Sequence, residues 1–207
     1  MKLFLNATSI FFKCFFRIFY RLSITGTDNP YQGSAIIAPN HSSFLDPPLI
    51  GIAWPEETHF IARASLFRNR IWKKIQEALN SHPVSGTAQD VGSFRKICQL
   101  LREGNKVVIF PEGARSATGE MLEMKSGVAM LAIRMQCPII PVYIKGTYEA
   151  WPKHKRWPKF RSSIACAFGQ PIYPPNASGM NKKEIQNYLI EQIQSQLEEL
   201  KRSLGDN

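Results

Sequence analysis

Hydrophobic patterning along the chain predicts an α/β protein. After Gly26, short apolar runs typical of buried strands alternate with stretches in which apolar residues recur at helical spacing. The runs predicted to be strands are 34–38, 58–62, 106–110, 138–144 and the weaker 163–168. The predicted helices are one beginning at Pro47, then 67–79, 88–103, 125–135 and 182–203. This alternation predicts a single domain over residues 27–207, with a mostly parallel central sheet flanked by helices.

Residues at the ends of two predicted helices support this assignment. Gly104 follows the helix 88–103 at a position where glycine commonly ends a helix. Asn181 stands before the last helix as its predicted N-cap, and Glu184 is spaced to complete a capping box.

The N-terminal segment 2–22 has a different pattern, with six Phe and no acidic residue. On a helical wheel its polar residues share one face and its aromatic residues fill the remaining arc. The polar face consists of Lys2, Asn6, Ser9, Lys13 and Arg17. We therefore expect residues 1–26 to form an amphipathic helix that lies in a membrane interface. A core helix, a membrane-spanning helix and a signal peptide are the alternatives.

Composition adds a constraint on the partner. The 207 residues include 26 Lys and Arg against 16 Asp and Glu, a net charge of +10. This excess predicts an anionic partner, namely nucleic acid, a phosphorylated substrate or an acidic membrane surface.

The four cysteines are widely spaced and form no Cys-x-x-Cys pair, which argues against a zinc site and favours reduced thiols in a cytosol-facing protein.

Two polar loops, 39–46 and 111–116, each follow a predicted strand, and ligands of parallel sheets bind at that end of the strands. In the first loop, His41 and Asp46 are five positions apart, a spacing that a loop can bring together and a continuous helix cannot. Asp46 precedes Pro47 and is predicted to be a helix N-cap. One carboxylate oxygen would then accept backbone N–H groups and the other the imidazole proton, which leaves the second ring nitrogen as a general base. The alternative is a helix cap beside an incidental surface histidine.

The second loop, FPEGARS, suits a phosphate group. Gly113 allows a sharp turn, Arg115 offers a planar fork, and Glu112 could orient that arginine or hold a substrate hydroxyl. A surface ion pair between Glu112 and Arg115 is the alternative.

A hydrolase with an acyl-serine is disfavoured because the chain has no Gly-x-Ser-x-Gly elbow. One His and one Asp are too few ligands for a metal.

The blocks NHSSFLDP, IARASLF, FPEGARS and IIPVYIKGT occur in this order over residues 40–147. This order resembles the glycerophospholipid acyltransferase family, and within it the bacterial 1-acyl-sn-glycerol-3-phosphate acyltransferases. The resemblance implies that His41 deprotonates the sn-2 hydroxyl of lysophosphatidic acid and that Asp46 orients His41. It also implies a set of substrate-binding residues: Glu112, Gly113, Arg115, Lys125 with Gly127 after it, and Pro141 on the acyl side.

The chain departs from the family pattern at two places. Ala114 stands where threonine is commonest, and residues 83–86 lack an arginine that the family often carries there. Arg63 or Arg68 is the candidate to take over part of that role.

The resemblance also implies the partners. The acyl donor would be acyl-CoA or acyl-carrier protein, with no metal or organic cofactor, and the enzyme would sit on the cytoplasmic face of the cell membrane. The segment 151–161, with five Lys/Arg and two Trp, favours an anionic membrane surface over nucleic acid, and a solvated loop with structural tryptophans is the further alternative. Two alternatives remain, an acyltransferase for another lysophospholipid or a lyso-aminolipid, and a non-enzymatic basic protein that binds membranes or nucleic acid.

Overall fold

A computed structural model describes residues 2–28, 30–84, 91–175 and 179–206 of the chain. In these residues seven strands form one sheet in the order β1-β7-β6-β2-β5-β3-β4. The strands are β1 Arg21–Thr25, β2 Ala35–Pro39, β3 Thr58–Arg63, β4 Ser81–Val84, β5 Lys106–Val108, β6 Ile139–Lys145 and β7 Ser163–Phe168. The helices are α1 Lys2–Phe19, α2 Asp46–Ala53, α3 Arg70–Ala78, α4 Val91–Arg102, α5 Gly127–Met135, α6 Thr147–Ala150 and α7 Lys182–Ser203, with a 3-10 turn at Ala64–Phe67.

The sheet is mostly parallel, as predicted. β6 and β7 form its one antiparallel pair within the described residues, and every other neighbouring pair is parallel. The five strands from β6 to β4 therefore run in the same direction, so the loops that follow them emerge at one edge.

Helices cover both faces of the sheet. Along β2 alternate side chains point to opposite faces, so Ile37 packs with α1 and α2 while Ile36 packs with α4, α5 and α7. All five residues of β2 are buried, which explains why the strand is apolar throughout. In α7 a buried stripe at four-residue spacing faces the sheet, and it consists of Ile185, Leu189, Ile193 and Leu197.

Several element boundaries match the sequence prediction. β7 and α7 have the predicted bounds, and the capping box is present: Asn181 Oδ1 accepts the N–H groups of Lys183 and Glu184, while Glu184 Oε2 accepts that of Asn181. The helix predicted over 88–103 runs from Val91, and residues 85–90 lie outside the described part of the chain. The helix predicted over 67–79 was wrong at its start, because a 3-10 turn ends at Phe67 and α3 begins at Arg70.

Both edge strands were missed. β1 lies at 21–25, where the sequence pattern suggested the end of the N-terminal helix, and it pairs with β7. β4 contains Pro83, a residue that removes a ladder donor and is confined to edge strands. The division of the chain at residue 26 stays a prediction, although β1 already belongs to the sheet.

The helix α1 is present, and one side of it packs on the core. Phe16 is 0% exposed and Tyr20, just after the helix, is also buried. On the side of the helix that faces away from the core, Ile18 is 73% exposed, and Ile10, Lys13 and Arg17 are also exposed. Among the described residues, no helix is both long and apolar enough to cross a membrane.

Candidate active site

The first loop is fixed where it leaves the sheet. β2 lies between β6 and β5, and Asn40 directly follows it. The Asn40 side chain bonds both backbone groups of Ile144 in β6: Nδ2 donates to the carbonyl at 3.0 Å, and Oδ1 accepts the N–H at 2.7 Å. The amide thus continues the link between β2 and β6 beyond Pro39. His41 therefore starts from a rigid point.

His41 and Asp46 form the predicted hydrogen bond. Their Nδ1 and Oδ2 atoms are 2.8 Å apart, and the same oxygen accepts the backbone N–H groups of Ser42 at 2.8 Å and Ser43 at 2.7 Å. Because a carboxylate oxygen accepts, Nδ1 is the donor to Oδ2, and in the neutral imidazole Nε2 is then the nitrogen that carries the lone pair. Asp46 is buried and the His41 side chain is 16% exposed, so the pair lies at the surface of the core with the imidazole on the open side.

The predicted capping role of Asp46 was wrong. Asp46 is the first residue of α2, Leu45 occupies the cap position, and no side chain caps this helix. The tight turn over residues 41–43 directs its N–H groups at the carboxylate, so Asp46 bonds back into the loop instead of forward into the helix. One oxygen, Oδ2, receives all three hydrogen bonds, contrary to the predicted division between two oxygens.

Glu112 bonds the first loop through one carboxylate oxygen and the backbone of Leu122 through the other. Oε1 accepts the backbone N–H of His41 at 2.8 Å, and Oε2 accepts that of Leu122 at 3.1 Å. The residue is 4% exposed, and burial raises the pKa of its carboxyl from 4.5 to about 7 against the opposing effect of the two hydrogen bonds. Glu112 therefore braces the backbone of His41. Sequence reasoning could not find this contact because its partners are 71 positions apart.

Gly113 and Lys125 meet in the second loop. Gly113 has φ +69°, and a Cβ added to it would lie 2.8 Å from Lys125 Nζ. The backbone N–H of Lys125 donates to the carbonyl of Pro111 at 2.9 Å. Gly127, two residues later, begins α5. The lysine side chain thus passes over the bare backbone of the glycine and brings a cation to this loop.

Arg115 is positioned by the first loop. Its guanidinium carbon lies 3.7 Å from the centroid of the Phe44 ring, a cation–π contact. The following residue, Ser116, donates its N–H to the carbonyl of His41 at 2.8 Å. The His41 ring in turn stacks on Phe110 at 3.9 Å. The predicted base and the predicted phosphate ligand therefore stand on loops that are bonded to each other.

Three other predicted residues occupy different places. Arg63 ends β3 opposite Val84 of β4, and its side chain lies outside those described. Arg68 is exposed and its N–H donates to Ser65. Pro141 is buried in the middle of β6 beside Ala38, so it belongs to the sheet rather than to a loop. The roles assigned to these three by resemblance stay predictions.

A third segment at the site was not predicted. The carbonyl of Trp151 accepts hydrogen bonds from the Ser43 hydroxyl at 2.7 Å and from the Phe44 N–H at 3.4 Å. The ring centroids of Trp151 and Phe44 are 5.1 Å apart. Lys153 Nζ donates to the carbonyl of Arg115 at 3.2 Å. The basic and aromatic composition of 151–161 was the available signal, but contacts that span 108 positions cannot be read from it.

Comparison with known proteins identifies the family. The family model described as acyltransferase matches residues 21–145. The chain belongs to the acyltransferase family. The matched range contains both loops of the site, whereas Trp151 and Lys153 lie beyond it.

Individual relatives of this acyltransferase bear one name. A 1-acyl-sn-glycerol-3-phosphate acyltransferase of Bacillus subtilis is 24% identical over 176 residues, which cover 84% of this chain and 85% of the relative. The enzyme of that name from Cocos nucifera is 30% identical over 123 residues, covering 58% of this chain and 40% of the relative. The crystal structure of the 1-acyl-sn-glycerophosphate acyltransferase PlsC from Thermotoga maritima is similar with a TM-score of 0.76 and 29% identity, covering 95% of this chain and 80% of that one.

Proposed function

We propose that this acyltransferase moves a fatty acyl chain from a thioester donor to the sn-2 hydroxyl of 1-acyl-sn-glycerol-3-phosphate and so forms phosphatidic acid. The observation that carries the proposal is the His41–Asp46 hydrogen bond at 2.8 Å on a loop bonded to the Arg115 loop. The names of the relatives support the same acceptor. The donor is acyl-CoA or acyl-carrier protein, and no metal or organic cofactor is required because a thioester is already activated.

His41 acts as the general base in the proposed reaction. Its Nε2 takes the proton of the acceptor hydroxyl while that oxygen attacks the thioester carbonyl. The tetrahedral intermediate then expels the thiolate, which receives the proton from the imidazolium. Asp46 holds the ring through Nδ1 and stabilises its positive charge in between, as the buried carboxylate does in other histidine-based sites.

The second loop binds the phosphate of the acceptor. Arg115 provides a planar donor fork. Because its guanidinium already stacks on Phe44, the side chain loses less conformational entropy when the phosphate binds. Lys125, which crosses Gly113, adds a second cation. Glu112 acts indirectly, since its oxygens bond the backbone of His41 and Leu122.

The exposed side of α1 and the segment 151–161 form one membrane-facing surface on the cytoplasmic side of the cell membrane. Phe160 packs 4.8 Å from Phe19, and the N–H of Arg161 donates to the Phe19 carbonyl. Trp157 is 72% exposed beside Arg156, so aromatic and cationic groups alternate at this surface. Two segments that were predicted separately thus support binding of an anionic bilayer, which also contains the acceptor lipid.

An acceptor panel tests the reaction. Purified protein is assayed with labelled acyl-CoA and labelled acyl-carrier protein against lysophosphatidic acid, lysophosphatidylethanolamine, a lyso-aminolipid and monoacylglycerol. We expect labelled phosphatidic acid as the dominant product with at least one donor. A faster reaction with a phosphate-free acceptor would overturn the proposed substrate.

Vesicle sedimentation tests the membrane surface. The double variant Ile10→Ser/Ile18→Ser should bind vesicles containing phosphatidylglycerol more weakly than the unaltered protein, because it removes two exposed apolar side chains. Met130→Ser on α5 is the matched control, since Met130 is exposed elsewhere. Equal binding by the double variant would contradict the placement of the bilayer on α1.

A further inference from the structure

The segment that begins at Trp151 is bonded to the catalytic loop. Two hydrogen bonds hold it there, since the Ser43 hydroxyl and the Phe44 N–H both donate to the Trp151 carbonyl, and they accompany an isolated bridge between Ser43 and Pro152. The Trp151 ring also contacts Phe44, whose ring carries the Arg115 guanidinium. Residue 153 therefore emerges at a defined position beside the second loop.

Lys153 extends its ammonium group to the Arg115 backbone. Nζ lies 3.2 Å from the carbonyl oxygen and uses one of its three donors there. Within the part of the chain that the structure describes, Lys153 makes no ion pair. The sequence also contains no Asp or Glu from 150 to 183. The ammonium thus keeps two donors for an anion.

The Lys153 ammonium lies beside the loop that is proposed to bind the phosphate of the acceptor lipid. Arg115 carries its own guanidinium, and the ammonium of Lys153 sits at the carbonyl of the same residue. The next residue, Ser116, donates to the carbonyl of His41. Both cations therefore belong to segments that are bonded to the loop of the base.

We propose that Lys153 is a specificity-determining residue that binds the phosphate of the acceptor together with Arg115. The inference rests on the proposed function and deepens it. A phosphate monoester carries nearly two negative charges and three acceptor oxygens, so it suits one planar fork and one compact ammonium. Because Lys153 lies beyond the matched family range of 21–145, its contribution belongs to a part of the chain that the shared pattern does not include.

Phosphate could reach Lys153 from two other sources, the headgroups of a bilayer and the phosphates of acyl-CoA. The test excludes the first by using a short-chain acceptor below its critical micelle concentration, without vesicles. It separates the second by measuring KM for the donor and for the acceptor independently.

The experiment compares Lys153→Gln with Lys183→Gln, which removes the same charge from the exposed first turn of α7. We expect Lys153→Gln to raise KM for short-chain lysophosphatidic acid about tenfold, as for the loss of one charge-assisted hydrogen bond, with kcat within about twofold of wild type. KM for monoacylglycerol and for the donor should not change, and Lys153→Arg should restore most of the affinity. Lys183→Gln should behave as wild type.

Several results would overturn the inference. These are an unchanged KM for lysophosphatidic acid, an equal rise for monoacylglycerol, a rise confined to the donor, or the same rise in Lys155→Gln, which would indicate a general effect of charge. A wild-type enzyme that shows no preference for lysophosphatidic acid over monoacylglycerol would instead contradict the proposed function itself.

Discussion

Glu112→Gln removes a charge from the centre of the site while it keeps the shape of the side chain. The native carboxylate accepts two backbone N–H groups, those of His41 and Leu122. A glutamine has one acceptor oxygen, so its NH2 group must face one of these donors. A buried donor left unpaired costs about 1–3 kcal/mol, and we expect the variant to be less stable than wild type by about this amount at low pH.

The pH dependence of stability gives the sharper prediction. The pKa of Glu112 is raised in the folded state, from 4.5 to about 7, so its contribution is fully present below pH 4.5 and is lost as the pH rises through 7. One pKa unit corresponds to about 1.4 kcal/mol, so the whole window corresponds to about 3 kcal/mol, and most of this falls between pH 5 and 8. Because glutamine does not titrate, the variant does not lose this stability as the pH rises.

Thermal unfolding followed by circular dichroism at several pH values from about 5 to about 8 measures the effect. Titrating groups distant from Glu112 are common to both proteins and cancel in the difference. For a chain of this size, the Tm advantage of wild type should shrink by about 5–10 °C over this range and could reverse in sign. A difference in Tm that stays constant within about 2 °C would refute the assignment of a buried, raised-pKa carboxyl to Glu112.

Two further substitutions test the packing around the site. Gly113→Ala should lower the free energy of unfolding by about 1–2 kcal/mol, because an alanine is strained at its positive φ. It should also raise KM for lysophosphatidic acid, because the new Cβ displaces Lys125. The control Gly104→Ala, with φ +83° and nothing within 4 Å of the added Cβ, should have the same strain but leave KM unchanged. Equal KM in both variants would contradict a role for Lys125. Phe16→Ala should lower the free energy of unfolding by about 3–5 kcal/mol in chemical denaturation, whereas Ile18→Ala, at an exposed position of the same helix, should change it by less than about 0.5 kcal/mol. Similar losses in both would mean that α1 does not pack through Phe16.

The sequence pattern predicted best where burial is regular. The strand 163–168 and the helix 182–203 were found with the correct bounds, since a short apolar run marks the first locally and a capping box marks the second. The short edge strands were missed, because 21–25 continues an aromatic segment and 81–84 contains a proline. Propensity and periodicity carry little information about such half-exposed strands.

The chemistry of the site was predicted in part. The spacing of His41 and Asp46 indicated their hydrogen bond, which is present at 2.8 Å. The orientation of the Asp46 carboxylate was predicted wrongly, because it depends on the turn geometry of residues 41–43. The bracing contacts of Glu112 and the approach of Lys153 join residues far apart in sequence, so they depend on which strands become neighbours in the sheet.

The central claim is that His41 is the base of an acyl transfer to lysophosphatidic acid. The most direct test measures transfer of a labelled acyl chain by wild type and by His41→Ala under identical conditions, with circular dichroism to verify the fold of both. Loss of a general base predicts that turnover falls by at least about 100-fold while the spectrum of the folded protein is retained. A folded His41→Ala protein that forms phosphatidic acid within about threefold of the wild-type rate would contradict the mechanism.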